Sequence, residues 1–143
     1  MPALATDKRA RLSLLWVFVL LNMVYADILS FTMGDTVRQI LEGRAGSIHI
    51  TAGFLLLAAL MTEIPIAMVV LTLVLPQRAA RWANLAAAMF TVVYIFGLGS
   101  AEPHYLFIAG METLGCVLIA RQAWTWREAR AGVQTQALLA EQG

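Results

Sequence analysis

The sequence is poor in charged residues and in cysteine. Asp, Glu, Lys and Arg make up 13% of its 143 residues, whereas hydrophobic residues make up 60%. The mean hydropathy is +0.74. A typical soluble domain is about half apolar and about a quarter charged, so this composition argues against a water-soluble fold. One cysteine excludes an intrachain disulfide and any zinc site built on cysteine pairs.

The sequence also lacks an excess of either charge and the common catalytic motifs. Ten basic residues against nine acidic ones give a net charge of +1, without the concentrated basic surface that nucleic-acid binding needs. There is no HExxH pair, no glycine-rich phosphate loop and no serine or cysteine nucleophile signature. We therefore predict no catalytic residues, no metal ligands, no cofactor and no nucleic-acid partner, and an enzyme is the less favoured interpretation.

Long hydrophobic runs are what the sequence does contain. A helix needs about 20 apolar residues to cross a hydrocarbon core of roughly 30 Å. Because an unpaired backbone amide in lipid is costly, such a run is expected to be helical. The sequence predicts an all-α, integral membrane four-helix bundle in a single domain, 1–143, which includes a cytoplasmic tail, 125–143. The four predicted spans are about 12–31, 53–75, 83–98 and 105–124.

The basic residues are unevenly distributed along the chain. Cytoplasmic loops of membrane proteins are enriched in Lys and Arg, so both termini are predicted to be cytoplasmic. Only Arg38 and Arg44 fall on the other side. The basic residues on the predicted cytoplasmic side are Lys8, Arg9, Arg11, Arg78, Arg81, Arg121, Arg127 and Arg130.

Two features near the first span have alternative interpretations. The basic start and the string Val24-Tyr25-Ala26 fit a cleaved signal peptide, but the apolar run continues to Phe31, which favours a retained span. In the first outer loop, Val37, Ile40 and Leu41 share one helical face, which predicts a short amphipathic helix on the membrane surface. The alternative there is a solvated loop.

Three acidic residues fall within the predicted spans. Asp27 lies in the first, Glu63 in the second and Glu112 in the fourth, and no Lys or Arg lies deep in any span. Ionisable residues are expensive in the membrane and mark functional sites by default. At about 1.5 Å per residue, the three lie about 6, 15 and 10 Å below the outer ends of their spans. If their faces meet, a polar file leads from the outer surface to the midplane.

Four further residues are candidates for this site. His49 is on the face of Glu63, and Tyr105 is on the face of Glu112. Asn22 and Tyr25 are three residues apart and share a face of the first span. The predicted ligand-binding or proton-exchanging residues are therefore Asp27, Glu63, Glu112, His49, Tyr105, Asn22 and Tyr25. The alternatives are that the acids only bond helices together, the tyrosines anchor at the interface and the histidine is solvated.

Some strings resemble a known group of proteins. Asn22-Met23-Val24-Tyr25-Ala26-Asp27, Glu63-Ile64-Pro65 and Arg81-Trp82-Ala83-Asn84 are similar to a small, uncharacterised family of bacterial four-span membrane proteins, loosely DoxX-like. The resemblance extends from Leu14 to about Arg121 and implies four helices in the bacterial plasma membrane, but no reaction. A more distant similarity in layout is to the emopamil-binding and sigma-2 receptor group, from which no ligand site carries over.

Three functions are compatible with the sequence. We favour an outer-half, carboxylate-lined cavity that binds or transports a small lipophilic or cationic ligand or an ion, because apolar walls with a few acids suit such a ligand. The second is a structural accessory subunit of a larger membrane complex. The third is an enzyme that uses carboxyl acid and base chemistry on a lipid-soluble substrate. Small residues favour a homo-oligomer within the bilayer, namely Ala86, Ala87, Gly110 and Gly115.

Overall fold

A computed structural model describes residues 2–99 and 101–126. That part of the chain is almost entirely helical, and four of its helices are long and apolar enough to cross a membrane. The all-α, four-helix membrane architecture is thus confirmed. The predicted tail lies outside the described residues from 127 onward. The elements are α1 (Pro2–Phe31), α2 (Gly34–Leu41), β1 (Arg44–Ala45), β2 (Ile48–His49), α3 (Ala52–Val74), α4 (Gln77–Leu98) and α5 (Pro103–Trp124).

The four long helices form a closed ring. α1 and α4 each pack against both α3 and α5. Neighbours run antiparallel: the Arg9 guanidinium donates to the Leu75 carbonyl at 2.7 Å, and the Ser13 hydroxyl donates to the Val69 carbonyl at 2.9 Å. We call the end that carries α2 and the β1–β2 hairpin the hairpin end. The opposite end, which carries Lys8 and the α3–α4 turn, is the terminal end.

The ends of the spans differ from the predicted ones mainly in α4. The apolar run suggested a start near Ala83, but α4 begins at Gln77, directly after Pro76. The polar first turns are helical because Pro76 ends the preceding turn and has a fixed φ suited to a helix start. The other three spans lie within a few residues of their predicted limits, apart from a longer start to α1.

The loop between α1 and α3 contains the short helix that the sequence predicts. α2 spans Gly34–Leu41 and has no buried residue, so it lies on the surface of the bundle. The antiparallel β1–β2 hairpin that follows was not predicted. Gly43 and Gly46 have positive φ angles of 72° and 60°, a conformation that glycine adopts without strain, and this lets the chain turn sharply there.

Small residues allow the helices to approach closely. A Cβ atom added to Gly115 of α5 would lie 2.7 Å from Cγ2 of Val19 on α1, so the absent side chain is what permits this contact. Ala88 of α4 and Ala109 of α5 are each 2% exposed. Close backbone approach of this kind supplies packing energy that lipid tails do not. Cys116, the only cysteine of the chain, is buried beside Gly115 with 1% exposure.

A hydrogen-bonded polar cluster lies inside the bundle toward the terminal end. The Trp16 indole N–H donates to Asn84 Oδ1 at 2.8 Å, and Asn84 Nδ2 donates to Thr72 Oγ1 at 3.1 Å. Asn84 Nδ2 also donates to the Ala80 carbonyl at 2.7 Å. Trp16, Thr72 and Asn84 are each 0% exposed, so these bonds take the place of those that water would make to the exposed side chains. The cluster joins α1, α3 and α4.

Candidate functional site

A cavity of about 310 Å³ lies between the four long helices toward the hairpin end. It has a mostly apolar wall with a few polar groups, the composition expected of a small-molecule site. Every long helix contributes to it. The lining residues are Leu20, Met23, Val24, Ala26 and Asp27 from α1, Thr62 and Ile66 from α3, Tyr94 and Ile95 from α4, and Tyr105 and Glu112 from α5.

Glu112 is the most deeply buried acidic residue of the cavity wall. It is 3% exposed and lies one turn after Ile108, on the face by which α5 packs into the bundle. Within residues 2–99 and 101–126 no hydrogen bond or ion pair satisfies its carboxyl group. Burying a carboxyl group without a hydrogen-bond partner costs free energy. A ligand in the cavity could provide that partner.

Asp27 lies at the rim of the same cavity. Its side chain is exposed at the surface of the bundle and also lines the cavity, as does that of Val24, which is 54% exposed. Because these two side chains are exposed and also line the cavity, the cavity opens on the side of α1. Asp27 is four residues before the end of α1, about 6 Å along the helix axis. The cavity therefore has one acid at its rim and one in its interior.

Two tyrosine hydroxyls complete the polar part of the wall. Tyr105 donates from its hydroxyl to the Ile95 carbonyl at 3.1 Å, which connects α5 to α4. The Tyr94 and Thr62 hydroxyls are 3.5 Å apart across α4 and α3, and Thr62 also donates to the Ala58 carbonyl at 3.0 Å. Since each hydroxyl retains an acceptor oxygen, both tyrosines can still bond a ligand.

The position of Tyr105 depends on a glycine. A Cβ atom added to Gly99, directly after α4, would lie 2.5 Å from Tyr105 Cε1 and 2.5 Å from the Ile95 carbonyl oxygen. Gly99 therefore leaves the space in which the ring lies. The turn between α4 and α5 thus determines the position of Tyr105 in the cavity wall.

The structure brings together three of the seven predicted site residues: Asp27, Glu112 and Tyr105. Glu63 does not line the cavity but lies on the exposed face of α3. Asn22 donates from its side chain to the Phe18 carbonyl of its own helix at 2.8 Å. The other two are exposed away from the cavity: Tyr25 is 58% exposed, and His49 is on the surface of β2.

Two polar lining residues, Thr62 and Tyr94, are not among the predicted site residues. The Thr62 hydroxyl donates to the Ala58 carbonyl of its own helix. A signal for Tyr94 was present, since it lies two turns after Ala87, a small residue of a packed face. Thr62 carries no comparable signal, because α3 is apolar all round.

The described residues do not form a recognisable metal site. Among residues 2–99 and 101–126 no group of three or more His, Cys, Asp or Glu side chains is arranged to hold a metal ion. None of the lining residues of the cavity is basic either. With two acids, two tyrosine hydroxyls and an apolar wall, the arrangement suits a group that brings positive charge and hydrogen-bond donors.

Comparison with known proteins gives one match. A family of unknown function, DUF6326, matches over residues 3–132. The chain belongs to DUF6326. No curated protein matches it, and no solved structure does. The comparisons show no relation to DoxX-like proteins or to the emopamil-binding group, so this DUF6326 protein has the membrane helices that the resemblance implied but no demonstrated link to either group.

Proposed function

We propose that this protein binds a small amphiphilic cation in the cavity between its helices. The Glu112 and Asp27 carboxyl groups hold the cationic head, and the apolar wall holds the body of the ligand. The observation that carries the proposal is the buried Glu112 carboxyl, which has no partner among the described residues and faces a cavity without a basic residue.

The charge of the cavity wall supports a cation. An acid inside low-dielectric walls attracts opposite charge more strongly than it would in water. The Tyr94 and Tyr105 rings add aromatic faces, which attract cations at close range by about 0.5 to 2 kcal/mol. An ammonium group would therefore have both a charge partner and an aromatic wall.

The position of the opening supports a lipophilic body. Val24 and Asp27 lie at the rim on the side of α1, a helix with an apolar exterior. Leu21 is 64% exposed and Ile28 52% exposed on the outside of α1. A ligand dissolved in the bilayer would thus meet the rim without crossing bulk water. An amphiphilic cation could place its charged head near the two acids and its apolar body against the apolar wall.

The first experiment is native mass spectrometry of the protein released from a mild detergent, read for a retained small molecule. It is followed by thermal unfolding with hexylammonium and with hexyl sulfate as probes. A ligand that binds only the folded state raises the unfolding temperature. We expect the ammonium probe to raise it and the sulfate probe to leave it unchanged.

A matched pair of variants tests the assignment. Glu112→Gln keeps the size of the side chain but removes its charge, and it should abolish the shift produced by the ammonium probe. Glu63→Gln removes an equal charge from a residue outside the cavity wall and should retain that shift. Equal shifts in Glu112→Gln and in the unaltered protein would contradict the proposal.

We also propose where the protein acts. It acts in the plasma membrane of a bacterial cell, and the uneven distribution of basic residues supports an orientation with both termini in the cytoplasm. The hairpin end, and with it the rim of the cavity, would then face outward. Cysteines introduced singly at Glu42 and at Gln77 test this, since a thiol reagent that does not cross membranes should label only the former in intact cells.

A second function is favoured by Glu63. It is exposed on α3, a helix in which only Pro65, Met68 and Thr72 are buried. A carboxyl facing lipid in mid-span is costly, so a second copy or another membrane subunit covering α3 would relieve it. Co-purification of a stable partner or oligomer that Glu63→Leu alters supports this function. A monomer unaffected by Glu63→Leu argues against it.

A further inference from the structure

A second polar group, at the terminal end, has a hydrogen-bond donor that is unpaired among the described residues. The Arg81 guanidinium lies against two indole rings, with its Cζ atom 5.7 Å from the ring centre of Trp82 and 5.4 Å from that of Trp124. These are cation–π contacts, and they join the first turns of α4 to the last turn of α5. The two rings hold the guanidinium in one place.

The nitrogen atoms of Arg81 donate no hydrogen bond to any residue of 2–99 or 101–126. Its Nε atom is buried and has no partner. A guanidinium carries five N–H donors in a planar fork, and a buried donor without an acceptor costs about 1 to 3 kcal/mol. The indole rings contact the Arg81 guanidinium, but they do not provide hydrogen-bond acceptors for its N–H groups. The Nε–H group therefore has unmet hydrogen-bonding capacity.

The guanidinium of Arg9, at the same end, is bonded differently. Arg9 Nη1 donates to the Thr72, Leu73 and Leu75 carbonyls at 3.2, 2.9 and 2.7 Å. Its guanidinium also lies 5.4 Å from the ring centre of Trp126. Arg9 thus closes the end of α3, whereas Arg81 has similar aromatic contacts but donates to no acceptor within residues 2–99 and 101–126. Arg81 is therefore the better candidate for binding an added acceptor.

Basic residues lie near Arg81 on both helices. Arg78 precedes it by one helical turn on α4, and Arg121 precedes Trp124 by one turn on α5. The acidic residues from 8 to 126 lie near the hairpin end or in mid-span, and Asp7 lies near the terminal end. An anion at Arg81 would also meet the positive charge of Arg121.

We propose that Arg81 binds the phosphate group of an anionic lipid headgroup beside the Trp82 and Trp124 rings. Trp82 is 63% exposed and Trp124 60% exposed, at the ends of two apolar spans. Tryptophan is enriched where the hydrocarbon meets the headgroups, which is where lipid phosphates lie. The planar guanidinium fork matches two phosphate oxygens at once. This site is separate from the cavity and does not depend on it.

The test uses the full chain, freed of bound lipid, in a neutral detergent. Native mass spectrometry measures the bound fraction of short-chain phosphatidylglycerol, of phosphatidylcholine with the same chains, and of inorganic phosphate. We expect phosphatidylglycerol to bind more tightly than phosphatidylcholine. Arg81→Gln should weaken phosphatidylglycerol binding about tenfold, which corresponds to the loss of one charge-assisted contact. Arg81→Lys should fall between them, since it keeps the charge without the fork.

Arg44→Gln is the matched control, because it removes one exposed positive charge at the opposite end of the bundle. It should bind phosphatidylglycerol as the unaltered protein does. Circular dichroism confirms that each variant is folded. If Arg81→Gln does not fold, Trp124→Leu serves instead and should weaken binding several-fold by releasing the guanidinium.

Three results would overturn the inference. One is equal phosphatidylglycerol binding by the unaltered protein and by folded Arg81→Gln. Another is equal affinity for phosphatidylglycerol and phosphatidylcholine, since the site would then not respond to net charge. The third is displacement of the lipid by inorganic phosphate at similar concentration, which would make free phosphate the ligand.

Discussion

The indole N–H of Trp16 donates a hydrogen bond of 2.8 Å to the side-chain oxygen of Asn84, between two residues that are fully buried on opposite helices of the ring. α1 and α4 are not neighbours around the bundle, so this bond crosses its centre. It couples the rotations of the two helices, because both side chains are fully buried and bond to each other there. The same rotation brings Asp27 of α1 and Tyr94 of α4 to one cavity.

The central bond predicts a measurable coupling. Asn84→Ala should destabilise the bundle by about 2 kcal/mol because it leaves the Trp16 and Thr72 groups unpaired. Trp16→Phe should cost about 1 kcal/mol, and the double variant less than the sum, with a coupling near 0.6 kcal/mol as for other membrane hydrogen bonds. Unfolding in mixed micelles measures all three. Simple additivity would show that the bond contributes nothing.

Two glycines of α5 are expected to respond in opposite ways to the same change. Gly115→Ala places a Cβ atom 2.7 Å from Val19 Cγ2, and since valine has few alternative rotamers the bundle should lose about 1 to 3 kcal/mol. Gly110→Ala meets nothing within 4 Å and should gain up to about 1 kcal/mol from helix propensity. Unfolding of both variants under one condition decides the point. Equal effects would contradict the close packing at Gly115.

The turn before α5 is expected to control the cavity. Gly99→Ala should displace the Tyr105 ring, because the new Cβ atom would meet both that ring and the Ile95 carbonyl at 2.5 Å. Affinity for the ammonium probe should fall together with stability. Tyr105→Phe removes only the hydroxyl and its bond to Ile95, and it should cost about 1 kcal/mol while leaving the ring in place. Probe affinity unchanged in Gly99→Ala would separate Tyr105 from the site.

The end of α3 is expected to fray without Arg9. Arg9→Gln removes the donor shared by three carbonyls, which should cost about 1.5 to 3 kcal/mol and speed amide exchange in the last turn of α3. Lys8→Gln removes a neighbouring charge from an exposed residue and serves as the control. Hydrogen exchange followed by mass spectrometry reports both. Unchanged exchange near Thr72 in Arg9→Gln would rule out this cap.

The sequence predicts the helices of this protein better than their rotations. Span number and approximate limits follow from long apolar runs, and the surface helix α2 follows from the spacing of Val37, Ile40 and Leu41. Which face of a span turns inward does not follow, because a helix that is apolar all round gives no periodic signal. In α3 the buried face is that of Pro65, Met68 and Thr72, and Glu63 is not on it.

Glu112 and Asp27, the two acids that line the same cavity, illustrate the same point. Glu112 has small neighbours one turn away, Ala109 and Gly115, which mark a packed face in the sequence itself. Asp27 follows Ala26, which is 4% exposed, yet the side chain of Asp27 is directed to the rim. That direction depends on how α1 packs against α3 and α5, which are distant from it in sequence.

Cys116 makes this chain its own reporter of helix separation. A thiol with 1% exposure reacts with a water-soluble disulfide reagent only while the helices around it are parted, and no second cysteine competes for the label. The rate of modification in the unaltered protein therefore measures how often the bundle opens next to Glu112. A ligand that occupies the neighbouring cavity would be visible as slower labelling, without any engineered probe.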